Sequence, residues 1–183
     1  MADEGRYGQK WQEWASQLGS DIDLVFALSG NEAIAPPGRR FLAAAISYVL
    51  TQLDLIPDHE RAGAVDDALV LRVAAALATE HAGSLPTKES AQLARLANDD
   101  EEIRAALGDA LFARLRRYVI DLCDKPVRGR TAEQLMNDAR SRQDAQRELE
   151  QSKRRLKEPS PLSTAEAAAL EVSVKSYLQM KLK

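Results

Sequence analysis

The sequence predicts an all-α protein: a compact helical bundle around a central antiparallel hairpin, with a charged C-terminal helical extension. Three observations carry this reading. Alanine and leucine dominate an apolar content of 45%, while aromatic residues make up only 5%; both of those residues lose little side-chain freedom in a helix. Apolar residues recur at spacings of three and four along most of the 183 residues, which places them on one face of a helix. The patterned segments are separated by glycine and proline, the first too free and the second lacking the N–H that a helix interior needs.

The first helix is expected over residues 7–18, where Tyr7, Trp11, Trp14 and Leu18 share one face and Gly19 supplies a stop. Trp11 and Trp14 on one face are read as core. Ser20 or Asp21 would cap a short second helix that leaves at Gly30, and "APPG" at 35–38 is a clear break. Residues 38–56 then read as a helix buried over most of its surface, with Phe41, Ala45, Tyr48, Val49 and Leu53 down one side and Leu42, Ile46 and Leu50 widening the stripe. Pro57 ends it. A second apolar helix starts near Val65, carries Asp66 and Asp67 in its first turn and ends before Gly83. The short connection implies that the two lie antiparallel.

A short helix capped at Thr87 and a longer one through "DDEEIRAALGDALFARLRRYVIDLCDK" follow, the latter with Leu107, Leu111, Leu115, Tyr118 and Leu122 as its stripe. Pro126 and Gly129 mark a boundary, so the domain reading is a helical domain over 7–125 and a charged segment over 131–183. Thr131 and Gln134 have the spacing of a capping box for a helix running to about Lys157. Its leucines at 135, 149 and 156 keep a seven-residue period, but Arg142 breaks the series and argues against a coiled coil. "KEPSPLS" reads as a linker, and Ser163 with Glu166 opens a final helix whose amphipathic face is Leu170, Val174, Tyr177 and Leu178.

Composition limits the function classes. A net charge of -3 gives no global attraction to nucleic acid or anionic lipid. The basic runs "RLRR" at 114–117 and "KRRLK" at 153–157 are diluted by acids and lack interleaved aromatics, so both read as solvated helix faces. Cys123 is the only cysteine, which excludes an intrachain disulfide and a cysteine-based zinc site. His59 and His81 have no zinc-protease spacing, and no glycine-rich phosphate loop or nucleophile elbow occurs. The longest uncharged apolar run, residues 41–53, is shorter than the roughly 20 residues a membrane span needs, and the first ten residues lack a secretory pattern. A cytoplasmic location is expected.

The most specific stretch is "LDLIPDHERAGAVDD", which gathers Asp54, Asp58, Asp66 and Asp67 around a proline. Asp66 and Asp67 suit the positive end of a helix, worth about 0.3 to 1 kcal/mol each, and Asp58 suits a turn. Asp54 is expected in the last turn of the preceding helix, where the dipole disfavours it. It should therefore accept backbone N–H groups or pair with Arg61 or Arg72. The leading reading of the four is a structural network, with two alternatives: a Mg²⁺ or Ca²⁺ site, because both ions take oxygen ligands, and a surface that docks a partner. The same stretch resembles the signature of the bacterial YkvA-like family at Tyr48, Asp54, Leu55, Ile56, Pro57, Asp58, Gly63, Asp66 and Asp67. It differs in having Gln52-Leu53 where Ser-Pro often stands, and a polar His59-Glu60-Arg61 turn. The likeness covers about residues 38–80. It implies a helical hairpin and no established reaction.

The functional expectation is a non-enzymatic interaction or assembly protein that uses its C-terminal helices to bind a protein partner or a second copy of itself, with Leu170, Val174, Tyr177 and Leu178 as the partner-binding residues. No cofactor is expected beyond the alternative cation. Two other readings stand beside it: a divalent-metal hydrolase using Asp54, Asp58 and Asp67, and peripheral membrane attachment through the hairpin or last helix.

Overall fold

The computed structural model describes residues 5–51, 54–156 and 160–183. These form nine helices: α1 (Arg6–Ser29), α2 (Pro36–Val49), α3 (Val65–His81), α4 (Thr87–Ala97), α5 (Asp100–Leu107), α6 (Asp109–Leu122), α7 (Ala132–Asn137), α8 (Ala139–Lys153) and α9 (Thr164–Lys181). Among the described residues there is no strand, only an isolated bridge between Val127 and Arg130. The all-α expectation holds. No helix among the described residues is long and apolar enough to cross a membrane.

The core is organised by the α2–α3 hairpin. Helix α3 is buried on nearly every side, from Val65 through Ala78, because α1, α2, α4, α5 and α6 all pack against it. Such a surrounded rod favours small and aliphatic side chains, which is why its sequence is mostly Ala, Leu and Val. Trp11 and Trp14, at 0% and 1% exposure, extend the core from α1 as expected. Residues beyond 131 join the same buried cluster through Ala132, Leu135, Met136, Ala145, Leu149, Leu170, Val174 and Leu178.

Several boundaries differ from the sequence expectation. Helix α1 does not stop at Gly19 but continues to Ser29, since Trp11, Trp14, Leu18, Ile22, Val25 and Leu28 keep one buried face across the glycine. Burial of that face outweighs the ~1 kcal/mol a mid-helix glycine costs. Helix α2 starts at Pro36, where a missing N–H costs nothing, and ends at Val49 rather than near residue 56. The long helix after residue 99 breaks at Gly108, whose φ of 77° is left-handed backbone that glycine adopts without strain. The charged segment breaks at Asp138, which leaves the helical region and caps α8 by accepting the Ser141 N–H at 2.7 Å. Leu53 of the expected stripe, the expected helix end at Lys157 and residues 157–159 of the linker lie outside the described residues.

The capping boxes at Thr131–Gln134 and Ser163–Glu166 form as expected. Arg142, which interrupts the leucine series, has a tertiary task. Its guanidinium donates to the Phe26 carbonyl at 2.9 Å, the Ser29 hydroxyl at 3.2 Å and the Leu135 carbonyl at 3.0 Å, and lies 4.4 Å from the Phe26 ring centre. It thereby closes the C-terminal end of α1. Gly30 makes room for it, since a Cβ there would sit 2.5 Å from the guanidinium carbon.

Candidate functional site

The acidic stretch lies where the ends of α2 and α3 meet. Tyr48, in the last turn of α2, donates its hydroxyl to Asp66 Oδ2 in the first turn of α3. The loop between them is held by the same two side chains: the Leu55 N–H donates to the Tyr48 oxygen at 2.8 Å and the Ile56 N–H to Asp66 Oδ2 at 3.1 Å. Leu55 and Ile56 are themselves buried. The chain therefore leaves α2 early, because its backbone donors find side-chain acceptors instead of the next helical turn. Beyond them the Glu60 N–H bonds the Pro57 carbonyl at 2.9 Å and the Gly63 N–H bonds the Glu60 carbonyl at 3.1 Å. A Cβ on Gly63 would lie 2.7 Å from the Pro57 oxygen, so glycine is what lets this turn close.

Electrostatically the corner favours protonated acids. Asp66 is fully buried, and burial pushes its carboxyl up to about 7 despite the opposing hydrogen bonds from Tyr48 and Ile56. Burial, then the charge of Asp58, raises Asp54 to about 6. Asp67 lies well above the usual carboxylate range through burial, then the charges of Asp66, Asp54 and Asp58. Tyr48 is raised strongly, again by burial first and Asp66 next. Tyr118 of α6 meets the Tyr48 ring edge-on at 6.0 Å and rises to about 12 through burial and the charges of Asp66 and Asp54. One oxygen each of Asp66 and Asp67 is buried without a hydrogen-bond partner.

Of the four sequence-predicted acids, Asp66 has the role the sequence understated, linking both helices to the loop. Asp58 is an exposed turn residue, as expected. Asp54 lies in the loop after α2 and not in a helix's last turn, so the dipole conflict expected for it does not arise. Its two expected partners are engaged elsewhere: Arg61 pairs with Glu166 at 3.1 Å, and Arg72 with Asp21 and Asp99. Among the described residues no three His, Cys, Asp or Glu side chains are placed to hold a metal ion. His59 is exposed beside Glu60, and His81 stacks on Phe41 with ring centres 5.3 Å apart.

The sequence missed a buried ion network. Arg72, 1% exposed, reaches Asp21 at 3.0 Å and Asp99 at 2.9 Å, donates to the Ala68 carbonyl at 3.2 Å and lies 4.7 Å from the Trp14 ring centre. Arg95 reaches the other oxygen of Asp21 at 2.7 Å. Burial and these arginines act oppositely on Asp21, with burial the stronger and the net direction upward. The available signal was a single arginine in the apolar middle of a helix whose acids stand only at its two ends, since such a residue is rarely buried without a partner.

The last helix also differs from expectation. Leu170, Val174 and Leu178 are buried and Tyr177 is half-buried, because α9 lies on α1 of its own chain. The crossing is so close that a Cβ on Gly8 would come within 2.0 Å of the Ala167 carbonyl oxygen, and the Gly8 N–H donates to Glu171 at 2.9 Å. Arg114 of α6 fixes the far end by donating to the Leu182 carbonyl at 3.0 Å. Leu170, Val174 and Leu178 are therefore not presented to a partner, and Tyr177 is so only in part; the face expected to bind one is largely used internally. Comparison of the chain with protein-family models, with curated proteins and with solved structures gives no match.

Proposed function

We propose that this is a non-enzymatic helical assembly protein that pairs with a second copy of itself through the outer face of α9. The observation that carries this is a second apolar stripe on the side of α9 away from α1. Ala165, Ala169, Val172, Ser176 and Met180 follow at spacings of four, three, four and four and are all exposed. Val172 and Met180, at 67% and 58%, are the most exposed of the large hydrophobic residues. A helix apolar on opposite sides is the pattern of one buried on both. In an antiparallel pair about a two-fold axis near residues 172 and 173, Met180 of one copy meets Ala165 of the other, and Ser176 meets Ala169. Met180 thus faces a small residue at each end of the seam, and small residues meet between, which lets the two helices approach closely. The likeness of residues 48–67 to the YkvA-like signature belongs to the same reading, as a hairpin that builds the body carrying α9.

Sedimentation equilibrium of the full chain tests it. The expected mass is that of a dimer, falling to the monomer in Val172→Glu with the helical circular dichroism unchanged. A monomer for the unaltered chain at every concentration, or a dimer that survives Val172→Glu and Met180→Glu together, refutes the proposal.

A further inference from the structure

Arginines gather in a place that the assembly reading does not use. A concavity of about 450 Å³ between the 127–130 turn and one face of α8 is lined by Arg128, Arg130, Arg140 and Arg147, with Ser141, Asp144 and Glu148. Four arginines and only two acidic residues line it, on a chain whose net charge is -3. The positive charge is a property of the site and not of the protein.

The arginines come from two elements, two from each. The turn is tight, with the Val127 and Arg130 backbones exchanging hydrogen bonds of 2.9 Å. Arg128 is held at a φ of 49°, left-handed backbone that a non-glycine residue rarely adopts. This geometry brings Arg128 and Arg130 onto a single oxygen of Glu148, at 3.0 and 2.8 Å. On α8, Arg140 and Arg147 are two turns apart on one face, about 10 Å along the axis. Arg147 makes only a long pair with Asp144, 3.5 Å, and Arg140 has no ion pair among the described residues. The outer pair is thus largely uncommitted, while the inner pair shares one carboxylate oxygen.

We propose that this concavity binds a small molecule carrying two adjacent phosphate groups, with Arg128 and Arg130 gripping one phosphate, Arg140 and Arg147 the other, and Glu148 holding the inner pair until the ligand displaces it. Guanidinium forks match phosphate oxygens in pairs, and each phosphate group brings the dense negative charge that two arginines can neutralise. The volume is within the usual range for small-molecule sites and exceeds what a single phosphate needs. Ser141 adds a hydroxyl at the same wall, its backbone N–H being already taken by Asp138.

Titration calorimetry of the full chain with inorganic pyrophosphate at low ionic strength decides the matter, with sulfate as the anion control and vesicles of anionic phospholipid as a second arm. Pyrophosphate is expected to bind more tightly than sulfate and to weaken as salt rises. Arg140→Gln, a surface change with no pair to lose, should weaken binding about tenfold. Glu148→Gln should strengthen it about tenfold by removing the competing carboxylate, whereas a purely structural Glu148 would give no such gain. Absence of pyrophosphate binding to both the unaltered chain and Glu148→Gln overturns the proposal, as does Glu148→Gln binding no more tightly than the unaltered chain. Vesicle binding without pyrophosphate binding overturns it in favour of a lipid headgroup.

Discussion

Replacing Asp66 by asparagine tests how the corner between α2 and α3 is held. The change keeps a side-chain oxygen for the Tyr48 hydroxyl and the Ile56 N–H and removes the ionisation. In the folded chain the Asp66 carboxyl is raised to about 7 from an ordinary 3.8. The folded state therefore holds a proton that the unfolded chain has already released between those values, so this residue's contribution to stability is full at the acid end and is lost as pH rises toward 7. Between about pH 5 and about pH 8 the loss is on the order of 3 kcal/mol, roughly two units at 1.36 kcal/mol each. Asp54 and Asp67, both raised by burial and by the neighbouring carboxylates, add slope of the same sign. Urea unfolding across that range should show the unaltered chain becoming less stable toward alkaline pH and Asp66→Asn losing distinctly less. An identical decline in both proteins would refute the reasoning, because the titrating group would then not be Asp66.

Further substitutions test the packing. Arg72→Ala leaves Asp21 buried beside a vacated guanidinium site and should cost about 3 to 5 kcal/mol in urea unfolding; the pair Asp21→Asn with Arg72→Met should recover much of that, and a cost below about 1 kcal/mol for Arg72→Ala would show that the network adds little. Gly8→Ala forces a Cβ to within 2.0 Å of the Ala167 oxygen, so α9 must shift, with a loss of about 1 to 3 kcal/mol and faster amide exchange along α9. Gly19→Ala, whose nearest contact would be 3.9 Å away, should instead stabilise by about 0.5 to 1 kcal/mol; equal effects from the two would contradict the described crossing.

The sequence by itself determined the helical class, the α2–α3 hairpin, the start of α3 at Val65, the two capping boxes and the core role of Trp11 and Trp14, because each depends on periodicity or on contacts within four residues. It also located the acidic corner. Only the tertiary structure decided what that corner does: Tyr48 and Asp66 are eighteen residues apart, and nothing local says that one caps the other or that Leu55 and Ile56 turn inward between them. The same limit hid the partnership of Arg72 with Asp21 and the closure of α1 by Arg142, 113 residues beyond Ser29. Gly19 shows it in the opposite sense, since its local preference to end a helix was overruled by burial of the face on both sides. Helix α9 carried two apolar stripes in its sequence, and which of them the chain would use for itself depended on where Gly5 and Gly8 let another helix come close. Local energies of about 1 kcal/mol set the elements; burial and paired charges, which require distant residues to meet, decided which ones persisted and which faces remained open.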